Sequence, residues 1–295
     1  MLDATPPPPS KYRPVLSQAQ APLTLQTQVM DEQGEWRTQS LACERPLTIY
    51  LNKREILTLM TLGEDPEALV LGYLRNQGWI HALEEVIAIQ VDWEVAAAAV
   101  VTQPLQVDLD ERLSQRTVTT GCGQGTVFGN QMERLQQLQL APWPLKQSEI
   151  YHLLDQLSQR NATYRQAGAV HGCALCQANG EVLAFCEDIG RHNAVDTLAG
   201  RLWLDDLPEQ DLIFYTTGRL TSEMVIKAAQ MQISVLISRS GATQMGLELA
   251  QRLGLLMLAR AKGKHFLVYS GQERLLLDAK PQRLEVSAKK EHRHD

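Results

Sequence analysis

The sequence predicts an α/β protein: a smaller mixed α+β N-terminal domain followed by a larger α/β layer domain. Three observations carry that prediction. In the second half, helical and strand-like segments alternate. The strand-like ones are short, continuous apolar runs, as expected of a sheet covered by helices on both faces. The first half instead shows apolar–polar alternation, interrupted by a single helical pattern. The chain of 295 residues has room for one large domain or two ordinary ones. The expected boundaries are 1–23, a disordered lead-in rich in Pro and Gln; 24–118, the N-terminal domain; 119–142, a mobile loop and linker; 143–284, the α/β domain; and 285–295, a frayed polar tail.

From Thr24, LTLQTQVM alternates, DEQGEW supplies a turn, and LTIYLN and EILTLM continue the strand pattern. LGEDPEALVLGYLRNQGWI reads as a helix with Asp65 as N-cap, Pro66 at the first position and Leu69, Leu71, Tyr73 and Leu74 on apolar faces. Strands around VIAIQVDW and AAAVVTQPLQVDL complete the domain. TVTTGCGQGTVFGN has neither period, and Gly121, Gly123 and Gly125 make it a loop around Cys122. After APWPL a helix is expected from Gln147 to Gln159. AGAVHGCALCQANGEVLAFCEDIG then reads as a hairpin on a type I′ turn at Asn179-Gly180. RHNAVDTLAGRLWL, LTSEMVIKAAQM and TQMGLELAQRLG are predicted helices, alternating with the strands DLIFYTT, ISVLISRS and LLMLARA.

The formal charge of −6 argues against broad nucleic-acid binding, while leaving room for a local basic pocket. The start lacks the basic and apolar regions of a signal peptide, and no apolar run reaches the roughly 20 residues of a membrane span. Five cysteines, an odd number with no export signal, point to reduced thiols in the cytoplasm.

Cys122 on its glycine-rich loop has the access and freedom that a nucleophilic or sulfur-carrying thiol needs. Cys173 and Cys176, with His171 upstream, spell a possible zinc site. On a strand, however, residues three apart face opposite sides, so the two sulfurs cannot converge on one ion and no metal is expected. Counting back from the turn sets Cys176 opposite Leu183 and Cys173 opposite Cys186. CEDIGRHNAVDT crowds Glu187, Asp188, Arg191, His192, Asn193 and Asp196 at a strand-to-helix junction, either as a site or as a capping and ion-pair cluster in which Asp196 supports His192 one turn away. Two further junctions, TTGRLTSE (Thr216, Thr217, Gly218, Arg219) and SRSGATQ (Ser238, Arg239, Ser240, Gly241, Thr243), combine hydroxyls, a guanidinium and a helix N-terminus, the ingredients of an anion site. ARAKGKH adds Arg260, Lys262, Lys264 and His265. Neither the P-loop nor the G-x-G-x-x-G fingerprint is present.

TTGCG at 119–123, EDIGRHNAVD at 187–196, TTGRLTSEMVIK at 216–227, SRSGATQMGLELA at 238–250 and LARAKG at 258–263, in this order, closely resemble the FdhD family of formate dehydrogenase accessory sulfurtransferases. The resemblance implies a cytidine-deaminase-like second domain without catalytic zinc, a homodimer, and a cytoplasmic role in formate dehydrogenase maturation. It further implies that Cys122 takes persulfide sulfur from a cysteine desulfurase and passes it to molybdenum or tungsten carried by two molybdopterin guanine dinucleotides. Leu258, Ala259, Arg260, Ala261, Lys262 and Gly263 match the segment assigned to that cofactor, and Arg219, Arg239 and His192 at the neighbouring junctions are further candidates for holding it. The chain departs from the family where many members carry a second loop cysteine, here Gly125, and where many have T-G-G-x-H, here Ala167 to His171. Two rivals remain. One is a non-covalent chaperone for the same cofactor, which makes Cys122 dispensable. The other is a zinc deaminase, which needs an ordered H-x-E and P-C-x-x-C pair that the chain does not have.

Overall fold

The computed structural model describes residues 12–104, 138, 140–208 and 210–279. Cys122 and the expected loop around it lie outside the described residues, as does the tail 285–295. The N-terminal strands are β1 (Val15–Leu16), β2 (Thr24–Met30), β3 (Trp36–Ala42), β4 (Arg45–Leu51), β5 (Arg54–Thr61), β6 (Val86–Asp92) and β7 (Ala97–Thr102). Five of them form one sheet in the order β1-β6-β7-β4-β5, while β2 and β3 pair only with each other. Helix α1 (Pro66–Asn76) packs on this sheet. Asp65 accepts the Ala68 N–H at its start and Pro66 opens its first turn, as the sequence predicts.

The second half contains β8 (Leu145–Lys146), α2 (Gln147–Ser158), α3 (Ala162–Ala167), β9 (His171–Gln177), β10 (Val182–Asp188), α4 (Arg191–Leu204), β11 (Leu212–Thr216), α5 (Ser222–Gln230), β12 (Val235–Ser238), α6 (Gln244–Arg252), β13 (Leu256–Lys262), β14 (His265–Ser270) and β15 (Leu275–Leu276). Its sheet runs β10-β9-β11-β12-β13-β14, with β11, β12 and β13 parallel and β10, β9 and β14 antiparallel to their neighbours. Apolar residues point to both faces, which is why these strands read as continuous apolar runs. One face, through Leu175, Phe214, Leu236 and Met257, packs on Leu198, Val225 and Leu249 from α4, α5 and α6. The other, through Ala174, Ile213, Ile237 and Leu258, packs on Ile150, Leu153 and Leu157 from α2.

The two halves meet helix to helix, so that α1 and α4 lie back to back between the two sheets. The helices cross at glycines: a Cβ on Gly72 would lie 1.7 Å from the Asp196 carbonyl oxygen, and one on Gly200 would lie 1.9 Å from that of Ala68. Only hydrogen atoms fit at this crossing. The approach leaves little space for water, and buried polar side chains bond to one another beside it. Asp196, fully buried, accepts from Lys227 Nζ and Asn76 Nδ2, each at 2.7 Å.

Four expectations are corrected. Residues 12–23 are part of the fold and not a disordered lead-in: β1 pairs with β6, Tyr12 Oη donates to the Val86 carbonyl at 2.6 Å, and Glu67 accepts from Ser17 Oγ and the Ala19 N–H. The linker expected to reach residue 142 already belongs to the core at its end, where Leu138 and Leu140 pack under the α4–α6 layer and the Ala141 carbonyl accepts from Ser234 Oγ. The 179–180 turn is not type I′, because Gly180 has φ +88° while Asn179 has no positive φ, and I′ requires both. Finally, Cys173 does face Cys186, but a register break between Val182 and Ala184 sets Cys176 opposite Val182 rather than Leu183.

Candidate functional site

Strand register brings the chemistry-bearing junctions to one edge of the six-stranded sheet. Thr216 at the end of β11 pairs with Ser238 at the end of β12, and also with Cys173 near the start of β9. His171, which opens β9, pairs with Asp188 at the end of β10. The N-termini of α4, α5 and α6 therefore all open at this edge, which is where open α/β sheets bind ligands. Strand-end hydroxyls brace the connecting loops. Thr216 Oγ1 accepts the Gly218 N–H at 3.0 Å, Ser238 Oγ donates to the Gly218 carbonyl at 2.6 Å, and Ser238 Oγ also accepts the Ser240 N–H at 2.9 Å. Thr217 Oγ1 accepts the Gly172 N–H at 3.0 Å, tying β9 to the same loop.

On this frame Arg219, Arg239, Arg260 and Lys262 are exposed. The Arg260 N–H donates to the Ser240 carbonyl at 2.7 Å, tying the end of β13 to the β12–α6 junction. Arg260 takes φ +52° at a register break between Ala259 and Lys262, a left-handed conformation uncommon for a residue with a Cβ. The Arg239 guanidinium lies 5.9 Å from the centre of the Tyr164 ring. Of the six residues 258–263, Leu258, Ala259 and Ala261 are buried in the sheet. Only the Arg260 and Lys262 side chains, and the backbone of Gly263, are open to a ligand. That narrows the expectation drawn from the whole segment.

Behind the arginines stand two histidines. His171 is half-buried, and its pKa is lowered first by burial, then by Arg191, Arg219 and His192. His192 is 4% exposed, so its place is inside the junction and not on its surface. Its Nε2 lies 2.8 Å from Glu223 Oε2, close enough for an ion pair. Burial lowers the His192 pKa despite this carboxylate, and the histidine contact in turn lowers that of Glu223. Arg191 runs along Gly218, where an added Cβ would meet its Cδ at 2.9 Å.

The dense run from Glu187 to Asp196 thus divides between site and scaffold. Glu187 accepts the Thr163 and Tyr164 N–H groups and so anchors α3. Asp188 accepts from Thr61 Oγ1, the Leu62 N–H, the Gly190 N–H and Asn193 Nδ2, joining the end of β5 to the start of α4; burial raises its pKa. Asp196 turns to Lys227 and Asn76 rather than supporting His192. Arg191 and His192 are left at the sheet edge. Glu223 escaped the sequence reading, and its only signal there was an acid in the first turn of a helix.

Cys173, Cys176 and Cys186 are buried. Desolvation pushes the Cys173 and Cys176 thiols up to about 12 and Cys186 well above its ordinary value, so none supplies a thiolate near neutrality. Cys173 belongs to the core under α4–α6 and Cys176 to the core under α2, on opposite faces as the strand period requires. Among the described residues, no group of three or more His, Cys, Asp or Glu is placed to hold a metal ion.

The sequence profile of the FdhD/NarQ family matches residues 42–276. The chain belongs to the FdhD/NarQ family. A relative from Listeria monocytogenes serotype 4b, named sulfur carrier protein FdhD, is 30% identical over 239 residues, covering 80% of this chain and 91% of that protein. One of the same name from Bacillus subtilis strain 168 is 30% identical over 253 residues, covering 83% and 94%. The crystal structure of a putative formate dehydrogenase accessory protein from Desulfotalea psychrophila superposes with a TM-score of 0.70 at 31% identity, covering 86% of this chain and all of that one. The edge residues described above all fall within the span matched to the FdhD/NarQ family. No helix among the described residues is long and apolar enough to cross a membrane.

Proposed function

We propose that this chain is a cytoplasmic sulfur carrier in formate dehydrogenase maturation. It accepts sulfur on Cys122 from a cysteine desulfurase and delivers it to the molybdenum or tungsten bis-molybdopterin guanine dinucleotide cofactor. The observation that carries the reading is the convergence of Arg219, Arg239, Arg260 and Lys262 with three helix N-termini at one sheet edge, in a chain whose relatives are named sulfur carrier proteins. A bis-dinucleotide cofactor is a multiple pyrophosphate anion, and such an edge offers the forked and backbone donors that pyrophosphate takes. In the loading step the Cys122 thiolate attacks the terminal sulfur of the desulfurase persulfide. A new S–S bond forms on Cys122, the old one breaks, and the desulfurase cysteine leaves as thiolate. The three buried thiols are poor competitors for that sulfur, and with Gly125 in the loop a single carrier cysteine does the work. The working form is a homodimer, and formate dehydrogenase is the downstream partner.

Incubation with desulfurase and cysteine is expected to add one sulfur atom at Cys122, read by peptide mass spectrometry, and a Cys122→Ala strain is expected to lack formate dehydrogenase activity. The lone loop cysteine also favours a second reading, a non-covalent chaperone for the same cofactor. Full activity in the Cys122→Ala strain would establish that reading instead. Both readings share the anion edge. Each of Arg219→Ala and Arg239→Ala is expected to weaken binding of guanosine diphosphate by about ten- to a hundredfold, the worth of a charge-assisted hydrogen bond, in equilibrium titrations at fixed salt. Unchanged affinity in both variants would remove the edge from the site.

A further inference from the structure

Three buried polar atoms stand at the starts of α4 and α5, and two of them have no partner among the described residues. Arg191 Nε and Thr221 Oγ1 are the two, and His192 Nε2 meets the Glu223 carboxylate at 2.8 Å. Thr221 stands at the N-cap position of α5 but makes no capping bond, and Gly190 at the start of α4 has no side chain to make one. Among the described residues, no side chain therefore caps the first N–H groups of either helix. Buried polar atoms left open in this way mark a place built for a further acceptor. Glu223 is the complication. A neutral His192 beside an ionised Glu223 presents a net negative charge to any anion entering between Arg191 and Arg219.

We propose that this junction binds a pyrophosphate diester with uptake of a proton by His192, which turns the His192–Glu223 dyad into a neutral ion pair. The proposal rests on the reading of the sheet edge as the cofactor's pyrophosphate site and adds the proton that accompanies binding.

The surrounding charges set the direction. On its own helix His192 has Arg191 beside it and Asp196 one turn on, and Asp196 is taken by Lys227. From α5 come Glu223 and Lys227, from β9 His171, and from the β11–α5 connection Arg219. Asp188 of β10 is engaged by its four donors. Helix α1 brings Glu67, held by Ser17, and Arg75, which donates to the Ala199 carbonyl and stacks on Trp203. Burial and the cations Lys227 and Arg191 keep the ligand-free imidazole neutral at neutral pH. A bound dianion offsets those cations while Glu223 stays ionised, and the imidazole pKa rises. Between the free and bound pKa values the complex therefore holds more protons than the separate partners. Affinity accordingly falls as pH rises through that window.

The test is calorimetric titration with diguanosine 5′,5′-diphosphate, whose phosphates carry no proton that titrates near neutrality. Runs at pH 7 in buffers of different ionisation enthalpy count the protons. A net uptake that shrinks towards zero by about pH 8.5 is expected, with an affinity about tenfold higher at pH 6.5 than at pH 8.5. His192→Gln should abolish the uptake while His171→Gln retains it. Glu223→Gln, at a more exposed position, should reduce the uptake and guards against a His192 variant that does not fold. Binding without uptake, or uptake that survives His192→Gln or is lost only with His171→Gln, overturns the proton role and leaves the pyrophosphate site standing. No binding at any pH overturns the site itself, and the proton role with it.

Discussion

Replacing Gly200 or Gly72 by alanine is expected to destabilise the protein by about 3 kcal/mol or more, at or above the upper end of the usual cost of overpacking. The clash is with backbone, the Ala68 carbonyl in one case and the Asp196 carbonyl in the other, so no side chain can rotate out of the way. The helices would have to separate by more than about 1 Å, since real carbon–oxygen contacts lie well beyond the distances found at this crossing. Neither helix can retreat freely. Helix α1 is pressed against the five-stranded sheet by Leu69, Tyr73 and Leu74, and α4 against the six-stranded sheet by Val195, Leu198 and Leu202. Pushing them apart also pulls Asn76 and Lys227 away from a fully buried Asp196. Urea denaturation followed by circular dichroism reads the effect as a lower midpoint. Gly241→Ala is the control, because a Cβ there meets nothing within 4 Å and its φ is not positive. A wild-type midpoint in both crossing variants would show that the halves are not held at these glycines.

Those glycines also show what the sequence could and could not convey. Both sit inside segments correctly read as helices, and α4 begins and ends where the pattern predicts, at Arg191 and Leu204. The sequence does not say that two helices press together there, because a helical glycine is equally compatible with a kink or a weak spot. The same limit applies to residues 12–23. Their Pro- and Gln-rich composition describes a chain unable to build its own core, yet Glu67, which nothing in the sequence singles out, captures Ser17 and Ala19 from a distance of about fifty positions. Strand β2 was legible as alternation, while its partner β3 was not singled out. Their separation from the five-stranded sheet was not legible, because alternation gives a strand's faces but not its neighbours.

At the site, residue types were legible and roles were not. Arg219 and Arg239 were found because guanidinium, hydroxyl and glycine recur at strand-to-helix junctions, and Arg260 because it opens a basic stretch; register then places them at one edge. The run Glu187 to Asp196 drew notice through its density of ionisable groups. Density alone could not separate Asp188 and Asp196, which brace the two halves, from Arg191 and His192, which stand at the sheet edge. That division depends on Thr61, Leu62, Asn76 and Lys227, residues 31 to 127 positions away.

Lys227→Met is expected to cost about 3–5 kcal/mol, the penalty for leaving a buried charge without its partner. Asp196 has no exposed surface, and Lys227 is only 7% exposed, so water cannot replace the lost ammonium. Asn76 Nδ2 still donates to Asp196 Oδ1, but one neutral amide cannot compensate an ionised carboxylate in so dry a place. The companion change tests the cause. Asp196→Asn in the Lys227→Met background removes the second charge and keeps an acceptor for Asn76, so most of the stability should return. If the double variant is no more stable than Lys227→Met alone, the ammonium acts through packing of its stem and not through its charge.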